Sequence, residues 1–249
     1  MYSFGSGSLI ATPTIDASGN AIVNPTPIEF GVLQDVSFDI SSDNKTLYGS
    51  LQFPVAVGRG KGKISGKAKA ARITASLFNA IYFGQTLASG ITGEVYDTTG
   101  STVAVSLTPT VPNTGAWSRD LGVKDTNGLA LVRVSTGPTT GQYSVAAGVY
   151  TFASADVGKL VYISFAYTAA STTAATSAIL NLPMGYAPSF SIDFYLPYNG
   201  KSMTMTFPNA IASKLTIATK QDDFLIPEFD FDCFANGAGQ VMTYSVSDK

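Results

Sequence analysis

Six of the chain's 15 basic residues stand within fourteen positions: Arg59, Lys61, Lys63, Lys67, Lys69 and Arg72, with no acid among them. The chemistry open to such a run is electrostatic. On a strand, positions 61, 63, 67 and 69 share one face if no bulge intervenes, with Ile64, Gly66 and Ala68 opposite. A stripe of this kind can face phosphates, meet an acidic partner surface, or stand in solvent and guard a strand edge against stray pairing. No aromatic residues interleave with it for base stacking, which weighs against nucleic acid.

A second cluster has the opposite sign. Asp222, Asp223, Glu228, Asp230 and Asp232 lie within eleven positions, and the last three alternate with Phe229, Phe231 and Cys233. Paired carboxylates can hydrolyse glycosides, and hard cations take carboxylate oxygens. A regular strand that repeats like charges at every second residue makes a poor cleft, and the glycine-bearing loop spacing of a calcium site is absent. A solvated face or an interface is the better reading. Cys233, set among alternating apolar positions, reads as a small hydrophobe rather than a nucleophile.

The rest of the chemical inventory is thin. The chain has no histidine, and so lacks the commonest general base, activator of serine and cysteine nucleophiles, and transition-metal ligand. The segment 58–63 carries three glycines but is not followed by Lys-Ser/Thr opening a helix, as a phosphate-binding loop requires. No catalytic, cofactor-binding or metal-ligating residue is therefore expected, and an enzyme is the least favoured function.

The elements that would position these clusters read as strands. Residues 1–26, rich in Ser, Gly, Thr, Pro and Asn, read as an arm, floppy or ordered by a neighbour, with a turn at 16–20. Val36, Phe38 and Ile40 alternate with polar residues in a strand over 28–40. A turn is expected at 42–44, a second strand over 46–57 interrupted by Pro54, a loop at 58–63, and a third strand ending near Ala71. Thr74 can cap a short helix over 75–83, with Gly84 as its stop. Short extended runs then recur about every ten residues between 92 and 169, which suggests a small β-sandwich. Long strands resume with the alternation over 189–196, the Asn199-Gly200 turn, a return strand through Met203, Met205 and Phe207, extended runs at 214–219 and 228–233, and a last strand at 241–246. The fold class is mainly β: a core domain formed by 1–90 and 170–249, with 91–169 as an inserted domain.

Composition frames the function. Charged residues make up only 13%, about half the usual share for a soluble domain, which suits a protein packed against neighbours. The net charge of −2 leaves no overall basic footprint for nucleic acid. No apolar run approaches the roughly 20 residues of a membrane helix. The opening Met-Tyr-Ser-Phe-Gly lacks a charged start followed by an apolar stretch, so a secretory signal is not expected. A single cysteine permits no internal disulfide and points to assembly in a reducing compartment.

Residues 27–39 (PIEFGVLQDVSFD) resemble the opening strand of tail tube, or major tail, proteins of tailed bacteriophages. The segments 45–49, 52–56 and 60–68 extend the resemblance, as does the short helix closing with NAIYFG at 79–84. At the far end, 213–215, 218–224 and 226–231 resemble the closing segment of such subunits. The likeness covers 27–84 and 174–248, with the block at 92–169 as an Ig-like insert. It implies a tail-tube-like β-sandwich or incomplete barrel with one flanking helix, and hexameric rings that stack into a hollow tube. Genomic DNA and the tape-measure protein would pass through that tube without sequence-specific binding, and tail terminator and distal tail proteins would cap it.

The resemblance further implies a place in the virion tail, with assembly in the bacterial cytoplasm. A bulky outward insert would obstruct a sheath, which favours a non-contractile, siphovirus-like tail. The long loop that reaches a neighbouring subunit or ring would be 44–63. The expected subunit interface comprises Tyr48, Phe53, Arg59, Lys61, Lys63, Lys67, Lys69, Asp222, Asp223, Glu228, Asp230 and Asp232, the basic strand of one copy meeting the acidic strand of another. Alternatives are a capsid decoration or other head protein, and a carbohydrate-binding module, against which Trp117 stands as the single tryptophan.

Overall fold

The computed structural model describes residues 5–72 and 74–247; residues 1–4 of the expected arm, and Asp248 at the end of the phage-like closing segment, lie outside them. The chain is mainly β and folds as two compact units, Met1–Leu87 with Ser177–Lys249, and Ala88–Thr176. The inserted unit thus begins at Ala88 rather than residue 91 and ends at Thr176 rather than residue 169.

The first unit is built on one curled sheet. Its strands in chain order are β1 (Ser8–Ile15), β2 (Ile28–Glu29), β3 (Leu33–Tyr48), β4 (Pro54–Ala70), β5 (Ser189–Tyr198), β6 (Lys201–Thr216), β7 (Glu228–Cys233) and β8 (Thr243–Val246). They pair in the order β2-β1-β5-β6-β7-β4-β3, with β8 beside the first part of β6. The curl brings Phe38 of β3 back over the opposite wall, its ring centroid 5.3 Å from that of Phe194 on β5 and 5.0 Å from that of Phe207 on β6. The core lies inside this curve, where the inward alternation of β5 (Phe190, Ile192, Phe194, Leu196) meets Phe229 and Phe231 of β7.

Several sequence expectations are corrected here. The stretch 1–26 is not simply an arm: β1 is a sheet strand in register with β5, and its Leu9 and Ala11 are fully buried. The apolar signal is short and interrupted by Pro13, and its partner lies far along the chain. The turn placed at 42–44 is instead a bulge in a continuous strand, between the pairs Ser42↔Gly62 and Asn44↔Arg59. The chain reverses over 49–53, and the glycine-rich segment 58–63 is strand, not loop. Pro54 opens β4, where a missing N–H interrupts no ladder. The runs at 203–207 and 214–219 belong largely to one strand, β6, which ends at Thr216.

The helix lies where the sequence placed it. Thr74 Oγ1 accepts the amide of Leu77 at 3.3 Å, and the α-turn Ala75–Phe78 widens into a π-turn at Asn79–Phe83. Leu77 and Ile81 point into the core. Gly84 ends it in the left-handed region (φ 58°), and a Cβ there would stand 2.7 Å from the amide nitrogen of Ala17. That close approach joins the helix to the turn at 16–20, whose Asp16 carboxylate accepts the amides of Ser18 and Asn20.

The second unit is a sandwich of two four-stranded sheets. One contains Ile91–Val95, Ser101–Thr102, Ala116–Asp125 and Leu160–Ala169; the other contains Ser106–Leu107, Val132–Arg133, Gln142–Ala146 and Val149–Phe152. Val123, Ile163 and Phe165 from the first share a core with Tyr143, Tyr150 and Phe152 from the second. Ala116–Asp125 was not legible as a strand, because register shifts and Gly122 break its alternation. Asp120 of this strand has a nearly buried side chain (4% exposed) that accepts both the Tyr143 hydroxyl at 2.7 Å and the Tyr150 hydroxyl at 3.0 Å. Burial first, together with the Asp120 carboxylate, pushes both phenols well above their ordinary range. The chain enters and leaves this unit side by side, Ala88 opposite Thr176 and Ile91 opposite Ala169.

Candidate assembly surface

The sheet order places β7 directly against β4. Glu228 lies opposite Lys69, Asp230 opposite Lys67 and Asp232 opposite Ser65. Because both strands alternate with period two, the acids of one and the lysines of the other fall on the same outer face. Lys67 Nζ donates to Glu228 Oε1 at 2.7 Å and lies 3.8 Å from Asp230. Lys63 lies 3.1 Å from Asp232. Lys69 bridges Asp35 of β3 at 3.6 Å and Glu228 at 3.7 Å. The Lys67 ammonium holds the Glu228 carboxyl below its usual range, and Glu228 in turn raises Lys67. Asp230 Oδ1, shielded from solvent and without a hydrogen bond, depends on the neighbouring Lys67 charge.

This overturns the expectation that the basic and acidic strands meet between copies. They are adjacent strands of one chain, and Lys63, Lys67, Lys69, Glu228, Asp230 and Asp232 answer one another within it. Local sequence carries no record of which distant strand becomes a neighbour. Asp222 and Asp223 stand apart from this lattice, in the loop before β7, where the Asp223 carboxylate accepts the amide of Phe224 at 2.8 Å and lies 3.9 Å from Lys220. Cys233 turns away from it, half-buried, and burial pushes its thiol up to about 12. Among the described residues, no group of three or more His, Cys, Asp or Glu is placed to hold a metal ion.

Tyr48, Phe53, Arg59 and Lys61 belong to a different feature. The ladder between β7 and β4 stops at the pair Cys233↔Ile64, yet β3 and β4 continue as a ribbon out to Tyr48↔Pro54, paired, among the described residues, only with each other. Lys61 lies on it at the bulge, between the pairs Ser42↔Gly62 and Asn44↔Arg59, and Arg59 donates its Nε to Ser42 Oγ at 3.0 Å. Beyond Asn44 every ribbon residue is exposed. The apolar ones are no exception: Phe53 and Leu51 are 80% exposed, Val55 73% and Leu47 64%.

Both faces of the ribbon carry exposed apolar side chains among polar ones. Leu47 pairs with Ala56 on one, and Val57 with Thr46 on the other. A two-stranded ribbon is at best marginally stable alone in water, and a contiguous exposed apolar surface marks an interaction site. Leu47, Leu51, Val55 and Val57 were not singled out from the sequence. The visible signal was apolar residues on both parities around a turn, a pattern that fits neither a half-buried strand nor a polar loop.

Compared with protein-family models and with curated proteins, the chain matches none.

Proposed function

We propose that this protein is a structural subunit that assembles with copies of itself through the β3–β4 ribbon, and that it is a tail tube protein of a tailed bacteriophage. The observation that carries self-assembly is the ribbon: an extension with apolar side chains on both faces and, among the described residues, no partner strand beyond its own two. What supports the phage reading is the resemblance of 27–84 and 174–248 to tail tube subunits, together with a sparse charge content.

On this reading the copies form stacked hexameric rings in the virion tail, after assembly in the host cytoplasm. The bore carries the tape-measure protein and then DNA, and other tail proteins close its ends. The internally answered charge lattice suits such a conduit, since a face whose ammonium groups are already paired offers DNA little to bind. The second unit is then an Ig-like insert.

Negative-stain microscopy and sedimentation of the concentrated protein test this. Hollow tubes of regular repeat are expected. The pair Leu47→Glu and Phe53→Glu should leave the circular dichroism spectrum and melting of the monomer unchanged and abolish tubes. A monomer at all concentrations, or tubes of normal length from the double variant, would overturn the proposal.

A further inference from the structure

The curled sheet does not close. Between β3 on one side and β5 and β6 on the other an open slot of about 670 Å³ remains, walled by Val36, Phe38, Phe194, Leu196, Met203 and Met205. Phe38, Met203 and Met205 are only partly buried there. Asp35 at the rim is already answered by Lys69, 3.6 Å away, so what the slot lacks is apolar cover. The start of the same chain runs into it. Going back from β1, Gly7 passes so close to β5 that a Cβ there would stand 2.6 Å from the Tyr195 carbonyl oxygen and 3.0 Å from the Phe194 ring. Ser6 then crosses to β3, its hydroxyl donating to the Leu33 carbonyl at 2.7 Å, and Gly5 lines the slot. Residues 5–7 thus strap β5 to β3, two strands that do not pair with one another among the described residues.

The residues before Gly5 are Met1, Tyr2, Ser3 and Phe4, which bring three large apolar or aromatic side chains and no charged one. From the course of the strap and the walls it enters we infer that residues 1–4 fill the β3/β5–β6 slot of their own chain, as a plug that completes the core of a sheet too short to close. Reach decides for the same chain. Consecutive Cα atoms are about 3.8 Å apart, so Phe4 is tethered one step from a residue that lines the slot, and four extended residues cover roughly 13 Å. So short a tether gives an effective concentration on the order of millimolar or more, which a segment of another copy does not match. The chemistry of the walls fits aromatic guests: methionine is unbranched and adaptable and makes favourable sulfur–aromatic contacts, and Met203 and Met205 stand side by side with Phe38. The plug belongs to the single chain and is independent of the self-assembly reading above.

The test places the photoreactive p-benzoyl-phenylalanine at position 4, a conservative aromatic replacement, in a dilute mixture of isotopically labelled and unlabelled full chains. After illumination, mass spectrometry should find position 4 joined to residues 194–205 or 33–38 of the same isotopic form. A second arm, Tyr2→Ser with Phe4→Ser, should leave the circular dichroism spectrum unchanged, raise the binding of the apolar-surface dye ANS several-fold, and speed hydrogen exchange around Phe38 and Met205. Links to the other isotopic form, links to any other segment, or dye binding and exchange that stay unchanged in the serine variant would each overturn the inference. Should the serine variant fail to fold, the cross-link decides alone, because position 4 stays aromatic in that arm.

Discussion

The ring of Phe231 lies on the backbone of Gly66, its direct partner across β7 and β4, with ring atoms 2.2 Å from where a Cβ would stand. Phe38, the partner of Gly66 on the other side, brings its ring to 6.1 Å from that of Phe231. A glycine in a strand ordinarily weakens it; here it makes room for two aromatic rings. Gly66→Ala should therefore destabilise the first unit by about 1–3 kcal/mol, the usual cost of overpacking. Elsewhere, Gly→Ala at a compatible strand position is stabilising through the unfolded chain. Urea unfolding checks the sign, and Phe231→Leu in the same chain should recover part of the loss.

The in-chain pairing of β4 and β7 changes what charge reversal does. Lys67→Glu places like charges across the strand pair, so the melting midpoint should fall in the monomer itself, before any assembly is considered. The swapped double variant Lys67→Glu with Glu228→Lys restores the opposite signs and should recover most of the fall. Equal midpoints for the single and double variants would mean that solvent already screens the pair.

The same pair sets an acid limb. The Glu228 carboxyl is held below its ordinary range, first by the hydrogen bond from Lys67. A depressed folded-state value stabilises above the unfolded carboxylate range, near 4.3, and the contribution is lost as pH falls through the folded value. Stability of the first unit should decline on acidification below about pH 4, and Glu228→Gln should flatten that limb. The reverse holds for Lys67, raised chiefly by Glu228: its contribution is present below the ordinary lysine range and fades at higher pH.

Much of the fold was legible because its signals are local. The alternation in Phe190, Ile192, Phe194 and Leu196 and in Phe229, Phe231 and Cys233 named the inward faces, and Thr74 and Gly84 marked a helix that needs only its own turns. What failed was long-range or depended on context. Nothing near Lys67 says that Glu228 will be its neighbour 161 positions later. The tripeptide Ser42-Asp43-Asn44 has turn composition, yet strand pairing on both sides holds it as a bulge. Tyr48 and Phe53 were found through a family likeness; the packing of Phe38 on Phe194 and Phe207 exists only once β3 curls back over β5 and β6.

In the second unit the Asp120 carboxylate joins two tyrosines. Both phenols are raised, chiefly by burial, so the folded unit keeps them neutral where an unfolded chain would ionise them, above about pH 10. Their contribution is complete below that pH and is lost as pH rises toward the folded values. Absorbance titration should show two tyrosines that ionise only with unfolding. Asp120→Ala leaves both hydroxyls without their acceptor and should cost about 1–3 kcal/mol, read as a lower melting temperature of the second unit.

The partnership of β1 with β5 has a consequence for how the chain is made. Leu9 finds Phe194 opposite it, and a ribosome adding roughly 5–20 residues per second delivers that partner roughly 10–40 s later. Ala88–Thr176 holds its own core, whereas Phe38 of the β3–β4 hairpin packs on Phe194, Phe207 and Phe231, which follow later in the chain. The second unit can form while β1 and the hairpin wait with their apolar side chains uncovered. The order of folding is thus inserted unit, then sheet, so the domain interrupting the first unit is finished before the domain it interrupts.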